Sequence, residues 1–181
     1  MLKSISVWQI AGFFAASLIG TLFHFTYAFS GQNIMVALFS AVNESVWEHM
    51  KLVFFPLILF AILEYWFWGK QQKNFWNVKL LGITLGILLN IVIYYTISGA
   101  FGTAPLWVDV SVFYITLAVV FFVETRLFKK EYKPHLPSTT AVLLLALLAI
   151  LFAVLTLIPP ELPLFTDYAG NTGLPVRLEK I

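Results

Sequence analysis

Between Lys3 and Glu44 the chain carries no formally charged side chain, and His24 is the one group in that stretch that titrates near neutral pH. A domain folding in water does not leave so long a run uncharged. The part from about Ser6 to Tyr27 exceeds the roughly 20 apolar residues needed to cross a bilayer. Met1-Leu2-Lys3 imitates the start of a cleaved signal, with Thr26-Tyr27-Ala28 as its cleavage site. The apolar run is nevertheless longer than the roughly 7–15 residues of a signal's hydrophobic region. It reads as a retained span.

Four more spans follow, at about Val46–Trp68, Leu80–Ser98, Leu106–Thr125 and Thr139–Ile158. Pro56 should kink the second, and Pro159-Pro160 stops the last. The apolar piece Ile34–Val42 is too short to cross and reads as an interfacial or re-entrant segment on the outer side. Composition agrees, since 11% of residues are charged, against roughly 25% in soluble domains. The expected fold is therefore all-α: an integral membrane bundle of about five transmembrane helices over residues 1–158. The stretch 159–181, rich in Pro, Gly, Asn and Thr, is expected as an extracytoplasmic tail on or near the outer face. The absence of cysteine excludes disulfides and thiolate sites, and a net charge of +2 without a basic run argues against nucleic acid.

Orientation follows from the basic residues, which favour the cytoplasmic side. With the amino terminus inside, Lys3, Lys70, Lys73, Lys79, Arg126, Lys129, Lys130 and Lys133 are cytoplasmic, and Lys51, Arg177 and Lys180 are external. That asymmetry predicts a cytoplasmic amino terminus and an external carboxyl terminus. Trp66 and Trp68 at one boundary, and Tyr27, Trp47 and Trp107 at the other, fit aromatic belts.

This topology gathers His24, Glu44, Glu48, His49, Asp109, Glu161 and Asp167 near the outer boundary. Ionisable groups at membrane depth are costly to bury, so such a concentration points to a site. Two rows of four-residue spacing lead toward it. Gly12, Ala16, Gly20 and His24 lie along the first span, and Gly82, Gly86, Asn90 and Tyr94 along the third. Small residues at that spacing let helix backbones approach closely in lipid. The expectation is close packing at the small-residue ends and a polar cavity at the other; plain interhelical hydrogen bonding by His24 and Asn90 is the alternative.

The densest motif is Asn43-Glu44-Ser45-Val46-Trp47-Glu48-His49. Ser45 and Glu48 match a capping box, and Glu44 and Glu48 would gain from the positive helix end, with Lys51 offsetting their charge. Capping requires neither Glu44 nor His49. His24, His49, Glu44 or Glu48, and Asp109 are candidate ligands for a divalent metal. Adjacent Glu48 and His49 diverge by about 100° on a helix, however. Ser45, His49 and Asp109 could also imitate a nucleophilic triad, and a carboxylate–histidine relay or ligand site needs no particular spacing. Glu64 and Glu124, near Lys70 and Arg126, are expected to reach the interface or pair with those bases. His135 is expected in a solvated loop.

His24-Phe-Thr-Tyr27, Ser30-Gly31, the Asn-Glu-Ser-x-Trp-Glu-His core and Pro163-Leu-Phe-Thr-Asp167 with Gly170 and Gly173 resemble a family of small polytopic bacterial membrane proteins. That family is known only as a domain of unknown function. The resemblance implies a bacterial cell membrane and carries no activity, cofactor or partner. It adds weight to His24, Asn43, Glu44, Ser45, Trp47, Glu48, His49 and Asp167. The leading functional expectation is binding or transport of a small or amphipathic ligand, such as a lipid, in a pocket lined by His24, Asn43, Glu44, Ser45, Glu48, His49, Asn90, Tyr94, Asp109 and Asp167. A metal-assisted lipid hydrolase or transferase and a subunit paired with another membrane protein are the alternatives.

Overall fold

The computed structural model describes residues 2–102, 106–130, 132–133 and 135–174. Arg177, Lys180 and Glu131, which entered the sequence reading, lie outside the described residues. Among the described residues six α-helices follow in order: α1 (Leu2–Phe29), α2 (Ile34–Ala37), α3 (Val46–Phe67), α4 (Phe75–Phe101), α5 (Leu106–Lys129) and α6 (Ser138–Leu157). All but α2 are long and apolar enough to cross a membrane. The protein is an all-α, multi-pass membrane bundle. The helices α1, α4 and α5 run past the apolar windows read from sequence, because their polar ends continue the same backbone hydrogen bonding. The helix α3 continues through Pro56.

Four helices form the body. Both α1 and α4 pack against α3 and α5, and α6 lies outside this group against α4 and α3. The outward side of α1 shows why lipid suits it. Val7, Ile10, Phe14, Leu18, Leu22, Phe25 and Phe29 recur every three or four residues and are all exposed, a stripe that water would not tolerate. The inward side carries the small residues. A Cβ on Gly20 would come within 2.7 Å of the Leu52 carbonyl oxygen in α3 and 2.6 Å of the Phe113 ring in α5. One on Gly86 would meet Val120 of α5 at 2.9 Å and Val53 of α3 at 3.1 Å. Each small-residue row is thus seated on α3 and α5 rather than on the other row.

Two internal charge clusters pin the helices; the first corrects the sequence reading, and the second keeps the expected pairing of Lys51 with Glu48 but buries it. Glu64 and Glu124 do not reach the interface or pair with Lys70 and Arg126. Both are fully buried, flanking Lys79, whose ammonium touches a Glu64 oxygen and lies 2.6 Å from Glu124 Oε2. Glu64 Oε1 accepts from the Gln9 side-chain amide at 2.6 Å, which joins α1 to the triad, and from the Trp68 indole N–H at 3.1 Å. Gly82 is the residue that makes room, since a Cβ there would collide with Glu124 Oε1. At the other end Lys51 is wholly buried. It pairs with Glu48 at 2.6 Å and donates to the Ala37 carbonyl at 2.7 Å and the Thr156 hydroxyl at 3.0 Å.

The aromatic belts are corrected in part. Trp66 and Trp107 are exposed, with the Lys70 ammonium 3.6 Å from the Trp66 ring centre, whereas Tyr27, Trp47 and Trp68 are buried. Trp47 is covered by the segment after α6. Its ring lies 4.7 Å from those of both Phe152 and Phe165. That segment makes a short 3-10 turn at Pro163–Phe165 and a bridge between Thr166 and Thr172.

Candidate functional site

The site begins at the start of α3. Ser45 is the N-cap, in extended backbone, and its hydroxyl accepts from the Glu48 amide at 3.4 Å. The Asn43 side-chain oxygen accepts from the Ser45 amide at 2.9 Å, and the Asn43 side-chain nitrogen donates to the Gly173 carbonyl at 3.0 Å. Glu44 is held between these two anchored residues. The Asp167 carboxylate is tied to its own loop, accepting from the Ala169 amide at 2.9 Å and the Asn171 amide at 2.8 Å.

So fixed, Glu44 faces two imidazoles from two helices. Its Oε2 lies 3.4 Å from His49 Nε2, and its Oε1 lies 3.9 Å from His24 Nε2. The two imidazole rings are 5.6 Å apart. His49 Nδ1 is 3.0 Å from the Ser45 carbonyl oxygen. A carbonyl can only accept, so this nitrogen carries a proton and Nε2 is the atom turned to Glu44. The hydrogen bond from His49 holds the Glu44 carboxyl below its ordinary range, against the opposing effect of burial.

These groups form the polar end of a cleft of about 160 Å³. Asn90, Tyr94 and Asp109 also line that end, and Gly20, Leu52, Val112 and Phe113 form its inner wall. Thr21, Phe25, Val110 and Tyr114 line it too and are exposed on the flank of the bundle between α1 and α5. The Thr21 and Tyr114 hydroxyls are 3.2 Å apart and bridge these two helices.

Not every residue expected here is present. Glu48 is a correction: it turns away from His24 to Lys51, and it also accepts from the Val42 amide at 2.9 Å and the Thr156 hydroxyl at 3.2 Å. The 100° between neighbouring helix positions sends Glu48 inward and His49 to the cleft. Glu44, one residue before the cap, takes the place expected of Glu48. Ser45, Asn43 and Asp167 do not line the cleft. The Ser45 hydroxyl serves the cap while its carbonyl serves His49, so no nucleophile–base pair forms. What sequence reasoning missed was the Glu64–Lys79–Glu124 triad. Its signal was partial: Glu64 and Glu124 are carboxylates within apolar spans, and Lys79 stands at the end of a third.

The model of a family of unknown function, DUF6512, matches residues 1–174. No curated protein and no solved structure matches the chain.

Proposed function

We propose, for a chain that belongs to the DUF6512 family over residues 1–174, that the cleft binds an amphipathic molecule drawn from the bilayer. Its polar head would meet His24, Glu44, His49 and Asp109, and its apolar part would leave past Phe25 and Val110. The observation that carries this reading is the joining of a polar end and an apolar flank in one cleft. A cleft opening only to water would not need exposed Phe25, Val110 and Tyr114 at its mouth. At about 160 Å³ it is smaller than the roughly 300 Å³ lower bound of drug-sized pockets. It suits a headgroup or a short part of a chain, the rest staying among lipids.

We infer an orientation with the amino terminus in the cytoplasm of a cell and the cleft at the outer side of the cell membrane. Lys51 and Lys79 are buried in ion pairs and leave the surface count. Lys70, Lys73, Arg126, Lys129, Lys130 and Lys133 still favour that orientation.

Val110→Trp tests the binding reading, because it fills the mouth from a half-exposed position without entering the core. Purified protein should retain an amphiphile detectable by native mass spectrometry, and the variant should retain at least about ten-fold less. Equal retention in both proteins, or none in the parent, rejects the proposal.

A further inference from the structure

His24, Glu44 and His49 each offer a ligand atom, and the three atoms lie within 4.8 Å of one another. They come from α1, from the loop before α3 and from α3. Two ligands bound about 2.1 Å from a tetrahedral ion sit roughly 3.4 Å apart. The His49 Nε2 to Glu44 Oε2 distance of 3.4 Å already matches that edge, whereas His24 Nε2 lies 3.9 Å from the other oxygen, Oε1, so the carboxylate must turn to bring one oxygen to both imidazoles.

The hydrogen bond to Ser45 also settles which nitrogen of His49 would face an ion. The Ser45 carbonyl fixes one proton of His49 on Nδ1, so Nε2 meets the anionic Glu44 either as the donor of a second proton or as a lone pair that a metal ion would take. A backbone carbonyl accepting from the far ring nitrogen is the arrangement that commonly orients metal-bound histidines. The cleft beside this group supplies what a closed structural site lacks, namely space for a further ligand. Asp109 lines the same polar end and adds negative charge near the cation.

We propose that His24, Glu44 and His49 bind one divalent transition-metal ion of the zinc type, with its open coordination position facing the cleft. Two imidazole nitrogens and one carboxylate oxygen form a donor set that suits zinc and leaves a fourth place for water or a polar headgroup. This deepens the binding reading by assigning the ion that would hold the head, and rests on it only for the identity of the fourth ligand.

The experiment uses the full-length chain with a histidine-free affinity tag, treated with chelator and reloaded with zinc or cobalt(II) alone. The parent should take up one ion per chain and, with cobalt, show the intense visible bands of a tetrahedral site. His24→Ala and Glu44→Gln should each weaken zinc binding by at least the roughly 10–100-fold that loss of an outer-shell partner costs. His135→Ala removes the remaining histidine, which is outside the cluster, and should bind as the parent does. His49→Ala adds a third arm where it folds; thermal unfolding of each metal-free variant identifies any that do not. No uptake by the parent overturns the proposal, as does uptake that His24→Ala and Glu44→Gln leave unchanged. The two readings fail separately: amphiphile retained by chelated parent protein without metal uptake defeats the metal alone, and metal uptake without any retained amphiphile defeats the lipid alone.

Discussion

Lys79 lies between two carboxylates inside an apolar bundle, so its neighbourhood holds two negative charges for one positive when all three ionise. Partial compensation comes from the Gln9 amide and the Trp68 indole, which both donate to Glu64. Glu124 Oε1 has no hydrogen-bond partner among the described residues. A buried charge stripped of its counter-charge is far more destabilising than the intact group is stabilising. Lys79→Met should therefore destabilise the protein by about 3–5 kcal/mol, read as a lowered midpoint of thermal unfolding in detergent. Glu124→Gln alone should be much milder, and combining Lys79→Met with Glu64→Gln and Glu124→Gln should recover much of the loss. A triple variant as unstable as the single would show that packing around Lys79, not charge, sets its value. The same residue shows what a sequence conceals. Lys79 stands near the end of a span, where a lysine ordinarily reaches water, and nothing local shows that Glu64 and Glu124 come from two other helices to meet it.

At the scale of the helices, the small residues decide how closely backbones meet. Gly86 has Val120 on one side and Val53 on the other, neither of which can give way without shifting a helix. Gly86→Leu should cost about 1–3 kcal/mol through overpacking, read as a lowered midpoint of thermal unfolding in detergent. An unchanged unfolding midpoint would mean that α4 slides past the strain. The spans were legible because a bilayer demands length and apolarity, both visible in one dimension. The spacing of Gly12, Gly20, Gly82 and Gly86 was legible for the same reason, as a periodicity. Which helices these rows touch was not, because a repeat gives the face of a helix and not its neighbour. The cleft shows the same division. His24, Glu44, His49, Asn90, Tyr94 and Asp109 do line one space, yet the exchange of Glu48 for Glu44 opposite His24 turned on where the first turn of α3 begins.

For the whole molecule, the proposed orientation has a direct check. A reporter active only in the cytoplasm, fused after Ile181, should be silent in stably inserted protein, and a reporter fused at the amino terminus should be active. The reverse pattern would turn the cleft toward the cytoplasm while leaving its geometry intact. The contacts that hold the cleft also impose an order in time. Lys51 is satisfied by Thr156, and Asn43 by the carbonyl of Gly173, so the loop bearing Glu44 waits for partners made more than a hundred residues later. During synthesis the first helices enter the bilayer with Lys51 lacking the Thr156 hydroxyl and Asn43 lacking its carbonyl. The last helix and the segment after it then close both contacts together. The loop bearing Glu44 is therefore among the last parts of the cleft to gain its full set of anchors, and a chain truncated before α6 would lack both of these contacts.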